Sequence, residues 1–233
     1  MKKHIVTLFS VFLILLGGTL IIYPVLSDYL NKLHQSKVIA SYEEYVDDMT
    51  ESIYRQMVED AEKYNQLLSQ NKESFRLNDV QKNQYKELLN VNGDGVMGYI
   101  EIPAIGITLP IYHGTDEAVL QIAAGHVEWS SLPVGGNGTH CVISGHRGLP
   151  SAKLFTDLDQ VKEGDFIILK ILNEEFIYQI DRISVVEPND MKLLKKEPGK
   201  DFCTLVTCTP YGINTHRLLV RGCRVKDTVR IID

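Results

Sequence analysis

A cysteine, Cys208, closes the apolar run Thr204-Leu205-Val206-Thr207-Cys208, and an arginine, Arg217, opens the next such run after an insert from Thr209 to His216. Both runs are rich in β-branched and aliphatic residues, while the insert carries Pro210 and Gly212. The unit therefore predicts two antiparallel strands joined by a loop, with thiol and guanidinium side by side at the loop end. A free cysteine has a pKa near ~8.5, so only a few per cent of it is thiolate at neutral pH, and something must favour the anion or accept the proton. Ser144-Gly145-His146-Arg147-Gly148 supplies a histidine just beyond another strand-like run, Cys141 to Ser144. His146 could act as ion-pair partner or base and then protonate a departing amine. Arg217, cationic at any relevant pH, could steady the thiolate, position a substrate carbonyl or stabilise an oxyanion, and residue type leaves those roles open. Together the three residues are tools of acyl transfer.

Ser144, Thr207 and Tyr211 adjoin these residues and are expected substrate contacts; His216, at the end of the active strand, lines the cleft or faces solvent. His113, His126, His140 and His216 follow no His-Glu-x-x-His or comparable spacing, so no metal is expected. Asn92 to Gly95 lacks the ligand series of a calcium loop, and no phosphate-cradling glycine loop precedes a helix. No cofactor is expected.

Three stretches carry a family resemblance. Thr-Leu-Val-Thr-Cys followed by Thr-Pro-Tyr-Gly-Ile-Asn-Thr-His-Arg-Leu-Leu-Val-Arg-Gly resembles the sortases, membrane-anchored cysteine transpeptidases of Gram-positive bacteria, and within them the class C, pilin-polymerising branch. So do Leu132 to Gly136 and Gly145 to Phe155, and the likeness runs from about Gly95 to Arg224. The resemblance implies that Cys208, His146 and Arg217 are catalytic. It implies that Cys208 attacks the threonine carbonyl of a Leu-Pro-x-Thr-Gly-like (LPxTG) sorting signal and releases the glycine, leaving a thioester. An amine resolves that thioester: a pilin lysine in class C, or the amine of a cell-wall precursor in a housekeeping sortase. A catalytically idle barrel that binds pilin is the reading from outside the enzymes.

These residues need elements to hold them. After the turn-forming Asn92-Gly93-Asp94-Gly95, strand-like runs occur at Met97–Ile102, Leu109–Tyr112, His140–Ser144, Phe166–Ile171, Phe176–Val186, Cys203–Cys208 and Arg217–Arg224. Pro, Gly, Asn and Asp punctuate them, which predicts a mainly β sandwich or barrel; the resemblance narrows this to a closed eight-stranded sortase-type barrel. A short helix is expected near Ser151 to Leu158. Before the barrel, Tyr42, Tyr45, Met49, Ile53, Met57, Ala61, Tyr64 and Leu68 recur at spacings that predict one amphipathic helix packed on the catalytic domain. Ser41 and Glu44 would open that helix as a capping box, and a second helix over Val80 to Leu89 carries a similar cap at Asn78 and Gln81.

Ile5 to Ile22, preceded by Lys2 and Lys3 and extended by Tyr23 to Leu26, is long enough to span a bilayer. No Ala-x-Ala site follows, so an uncleaved signal anchor is favoured over a cleaved signal, with the basic tip inside and everything after Ser27 outside. The expected division is a cytoplasmic tip over 1–4, the anchor over 5–26, a helical lid-like region over 27–91 and the catalytic barrel over 92–233. No second apolar span follows, so single-pass topology is expected. The net charge of −6 and the lack of a basic run after the anchor argue against nucleic acid. Of four cysteines, Cys141, Cys203 and Cys223 lie inside apolar runs and read as buried hydrophobes. Class C relatives carry an Asp-Pro-aromatic lid, but no proline occurs between Pro24 and Pro103. Although Asn71 to Tyr85 contains Phe75 and Asp79, the lid is expected to be shortened, degenerate or absent.

Overall fold

A computed structural model of the chain describes residues 2–70 and 75–225. The alternating runs form the strands β1 Val96–Ile102, β2 Ile107–His113, β3 Ala124–His126, β4 Thr139–Ser144, β5 Phe166–Ile171, β6 Glu174–Val186, β7 Asp201–Thr209 and β8 His216–Arg224. They close into an eight-stranded barrel in the order β1-β2-β3-β4-β7-β8-β6-β5, the closed architecture expected. Two pairings are parallel, β2 with β3 and β4 with β7. The β4–β7 pair brings the C-terminal ends of these two strands to one end of the barrel.

The N-terminal region departs from expectation. A single helix, α1 Lys2–Asp47, runs unbroken through the apolar segment and past Ser41. Ser41 and Glu44 therefore cap nothing, because the preceding turns already supply acceptors for their backbone donors. The expected single stripe is also divided: α1 ends at Asp47 and α2 Glu51–Gln70 begins after a short turn. Tyr42, Ala61, Tyr64 and Leu68 are buried, whereas Tyr45 and Ile53, near the break, are exposed. Helix α3 Asp79–Glu87 opens with the full Asn78–Gln81 capping box, an arrangement whose N-cap is worth about 1 kcal/mol.

Three residues dock these helices through hydrogen bonds. The Tyr42 hydroxyl donates to the Met97 carbonyl at 3.1 Å and accepts the Leu172 N–H at 2.7 Å. Asn65 exchanges a pair of bonds with the backbone of Leu132, at 2.7 and 3.0 Å. Tyr85 of α3, almost fully buried, reaches His126 and accepts the Gly114 N–H at 2.9 Å. Met97, Leu172 and Leu132 all lie at the barrel end opposite the C-termini of β4 and β7, and α2 packs at that far end through Asn65. Of the lid-like stretch, residues 71–74 lie outside the described residues. Phe75 packs edge-on against Trp129 at 4.9 Å, and Leu77 is buried in the core.

The helix expected near Ser151 to Leu158 is instead a series of turns, leading into a short 3-10 turn at Leu158–Gln160. Phe155 and Leu158 are fully buried there. The segment folds inward on these side chains and bonds to the His146 loop, which fixes its path better than helical periodicity could. A four-residue helix, α4 Glu117–Leu120, and the three-residue β3 both escaped sequence reading. Residues 226–233, part of the stretch behind the single-pass expectation, lie outside the described residues.

Candidate active site

Side-chain alternation sorts the strands into inner and outer faces. On β7, Cys203 and Leu205 enter the core, and Thr204, Val206 and Cys208 face outward; on β8, Leu218 and Val220 enter while Arg217, Leu219 and Arg221 face outward. On β4, Cys141 and Ile143 point inward and His140, Val142 and Ser144 outward. The outer face is therefore a shallow apolar floor built on Val142, Leu219 and Val206. Leu194 and Met191, from the β6–β7 connection, pack over it.

Cys208 and Arg217 are direct cross-strand partners at the open end of this floor, with Thr209 opposite His216. The geometry is the one predicted: two side chains on one face of an antiparallel pair, with Cβ atoms about 5 Å apart. β4 lies on the other side of β7 in parallel register, Ser144 beside Val206, so His146 and Cys208 each follow two residues beyond a matched pair. Cys208 and Arg217 thus share one face, and the loop carrying His146 leaves β4 at the same barrel end, next to half-buried Ser144.

Each side chain has a local constraint. The Arg217 Nη1 donates to the carbonyls of His216 and Asn214, at 3.1 and 3.4 Å. Among the described residues its Nε and Nη2 have no protein acceptor, which leaves donors for a substrate oxygen. His146 places Nε2 3.3 Å from Glu117 Oε2, and the Gln121 amide holds the other carboxylate oxygen at 2.5 Å. Donation from Gln121 and then from His146 lowers the Glu117 pKa below the usual carboxylate value. Cys208 is half-buried and free, whereas burial pushes the Cys141 thiol up and removes it as a nucleophile.

The His146 loop is clamped to β7. Gly145 donates its N–H to the Val206 carbonyl at 3.1 Å and accepts the Thr207 hydroxyl at 2.7 Å. Gly145 has no room for a side chain, since an added Cβ would lie 2.6 Å from the Phe155 ring; Gly148 sits at φ +79°. Arg147, between them, is the main cross-link. Its guanidinium pairs with Asp159, donates to the Thr156 carbonyl at 3.1 Å and to the Thr209 hydroxyl at 3.3 Å, and lies 5.9 Å from the Tyr211 ring centre. One buried side chain thereby ties the histidine loop to the cysteine strand.

Of the expected substrate contacts, Tyr211 and His216 are exposed at this end, and His216 Nδ1 bonds the Thr215 hydroxyl. Thr207 departs from expectation: it is buried on the inner face and its hydroxyl serves Gly145. Its odd-numbered place in the strand, opposite in parity to Cys208, carried that signal. Cys223 also departs, being half-buried and not fully enclosed. Sequence reading missed Arg147 and Glu117. Arg147 stood in plain view beside His146; Glu117 sits in a helix too short to show periodicity.

A family model for the sortase domain matches residues 100–225. Over 225 residues, 95% of both chains, the sequence is 26% identical to sortase A of Bacillus anthracis. Among solved structures, sortase C1 of Streptococcus agalactiae is similar with a TM-score of 0.80 at 48% identity, covering 82% of this chain and 99% of that one. Sortase C of Clostridium perfringens, solved with the C-terminal cell wall sorting motif, gives a TM-score of 0.72 at 42% identity, covering 82% of this chain and 100% of that one. With the family model spanning more than half of the sequence and class C structures matching the barrel and the helices packed on it, the chain belongs to the sortase family of cysteine transpeptidases and is class C-like.

Proposed function

We propose that Cys208, His146 and Arg217 are the catalytic residues of a membrane-anchored, outward-facing transpeptidase that polymerises pilins. The observation that supports this reading is the direct pairing of Cys208 with Arg217 at the barrel end where the His146 loop leaves β4, clamped to β7 through Gly145. The Cys208 thiolate attacks the threonine carbonyl of an LPxTG-type signal. The carbonyl π electrons move to oxygen, and Arg217 steadies the resulting oxyanion or orients the carbonyl beforehand. On collapse the C–N bond breaks, and His146 gives its proton to the departing glycine amine. The thioester then meets a pilin lysine amine: a C–N bond forms, the amine proton passes to His146, and the Cys208 thiolate leaves. No step needs a cofactor. Ser144, Tyr211 and His216 border the cleft as substrate contacts. The apolar segment of α1, unburied and long enough to cross a membrane, supports the anchor over 5–26, and the strands from Val96 to Arg224 support a catalytic barrel within 92–233.

Likeness to class C structures favours the pilin lysine over the cell-wall precursor amine as acceptor. The test offers an LPxTG-type donor peptide with either a lysine-bearing pilin domain or an oligoglycine amine. Isopeptide product with the pilin domain alone supports pilus polymerisation. Product with oligoglycine alone would make the chain a housekeeping sortase, and persistence of either product in Cys208→Ala would remove Cys208 as the nucleophile.

A further inference from the structure

The course of α1 along the barrel fixes which end of the enzyme faces its anchor. Just past the apolar segment, Asp28 accepts the Lys153 N–H at 2.8 Å. One turn later Lys32 pairs with Asp28 at 3.0 Å. Then Gln35 donates to the Ile122 carbonyl at 2.7 Å, and Tyr42 joins Met97 and Leu172. Strand directions place these contacts by height. Ile122 precedes β3, whose N-terminal half pairs with the end of β4 through Gly125 and Ser144, so it lies at the catalytic end. Lys153 lies there too: its segment bonds the His146 loop through the Phe155 N–H to the His146 carbonyl at 3.0 Å and through Arg147 to the Thr156 carbonyl. Met97 and Leu172 lie at the far end, at the start of β1 and just after β5. From Asp28 to Tyr42 the helix rises about 21 Å at ~1.5 Å per residue, close to the length of a six-residue strand. α1 thus descends the whole barrel wall from the catalytic end, and its apolar segment projects from that end.

The opposite face of α1 extends the apolar surface beyond the segment. Tyr23, Leu26, Leu30 and Leu33 recur at helical spacing, and all are exposed, as is Tyr29. Tyrosines at this level are characteristic of a membrane–water interface. We propose that α1 is a strut holding the catalytic end of the barrel against the lipid headgroup layer. The proposal rests on the anchoring reading above and adds an orientation to it. The helix continues through Pro24, and only about 3 Å of it separates Leu26 from Asp28, so the barrel follows the anchor closely.

Depth-dependent fluorescence quenching tests the orientation without relying on activity. Full-length protein in the Trp129→Phe background is reconstituted in liposomes containing headgroup-nitroxide lipid, with one new tryptophan at Lys153→Trp or at Asn173→Trp, both exposed positions. Across a height difference of about 20 Å, Lys153→Trp is quenched several-fold more than Asn173→Trp. A short Gly-Ser insertion between Leu26 and Ser27 removes that difference. Equal or reversed quenching overturns the strut. The activity arm compares a soluble LPxTG-type peptide with the same peptide joined to a lipid by a short spacer. Uninterrupted α1 favours the tethered peptide by at least about tenfold through effective concentration, and the insertion abolishes that advantage while leaving soluble-peptide turnover intact. Loss of all peptide cleavage, with unequal quenching retained, would instead refute the transpeptidase reading.

Discussion

Arg147 tests how far catalysis depends on the clamp between the histidine loop and the cysteine strand. Its side chain is 7% exposed and contributes an ion pair to Asp159 and hydrogen bonds to the Thr156 carbonyl and the Thr209 hydroxyl. A hydrogen bond from a charged donor is worth about 1.5–3 kcal/mol, and the pair with half-exposed Asp159 adds at most about 1 kcal/mol. Water can replace part of this at the loop surface, so Arg147→Ala lowers stability by roughly 2–4 kcal/mol. The catalytic effect is separate. If the loop shifts by about 1 Å, loss of alignment between His146 and Cys208 lowers kcat by up to about 100-fold. Arg147→Lys restores little, because one ammonium cannot reach all three partners as the planar fork does. The assay pairs peptide turnover with alkylation of Cys208 by a small thiol reagent, both at a temperature where the variant remains folded by circular dichroism. Turnover falls and kcat carries the loss. Turnover within twofold of wild type in folded Arg147→Ala would refute the clamp.

Other outcomes follow from the same geometry. His126 and His140 are buried and neutral, burial pushing each down to about 4 from 6.5. Unfolded chains bind these protons first, so the associated stability is complete above pH ~6.5 and is lost as pH falls toward 4, about 5 kcal/mol for the two by pH 4.5. Denaturant unfolding at pH 7.5 and 4.5 measures it, and a flat profile would contradict the burial argument. Glu117→Ala frees the ring of His146 and lowers kcat several-fold with KM little changed, because only orientation is lost; Glu117→Gln, which retains an acceptor, recovers part of it, and an effect confined to KM would argue for substrate contact. Gly145→Ala drives a methyl group against the Phe155 ring at 2.6 Å, costing about 1–3 kcal/mol. A thermal melt matching wild type would show that the loop gives way there.

Much of the site was legible because it is local. Cys208 and Arg217 flank one hairpin, and β-branched runs on either side fix its register, so their adjacency follows from sequence spacing alone. His146 was harder, since the parallel β4–β7 pairing joins segments 62 residues apart, as in the Thr207–Gly145 bond; only its position just beyond a strand and the family resemblance pointed to it. Ser41-x-x-Glu44 misled because a capping motif states a local preference that an uninterrupted upstream helix overrides. The short β3, Ala124–His126, has no periodicity to read and exists through pairing with β2 and β4 on either side. Barrel closure belongs to the same class, being a property of long-range pairing and not of any one run.

Catalysis as proposed depends on Cys208 as the acyl-accepting thiol. Brief incubation with an LPxTG-type peptide lacking an amine acceptor, followed by quenching at low pH and peptide mapping by mass spectrometry, traps the intermediate directly. The expected product is a thioester to the threonine carbonyl on Cys208, absent from His146→Ala, with Cys141, Cys203 and Cys223 unmodified. A thioester on Cys223, the other half-buried thiol, or one that forms at an undiminished rate in Arg217→Ala and His146→Ala together, would contradict it.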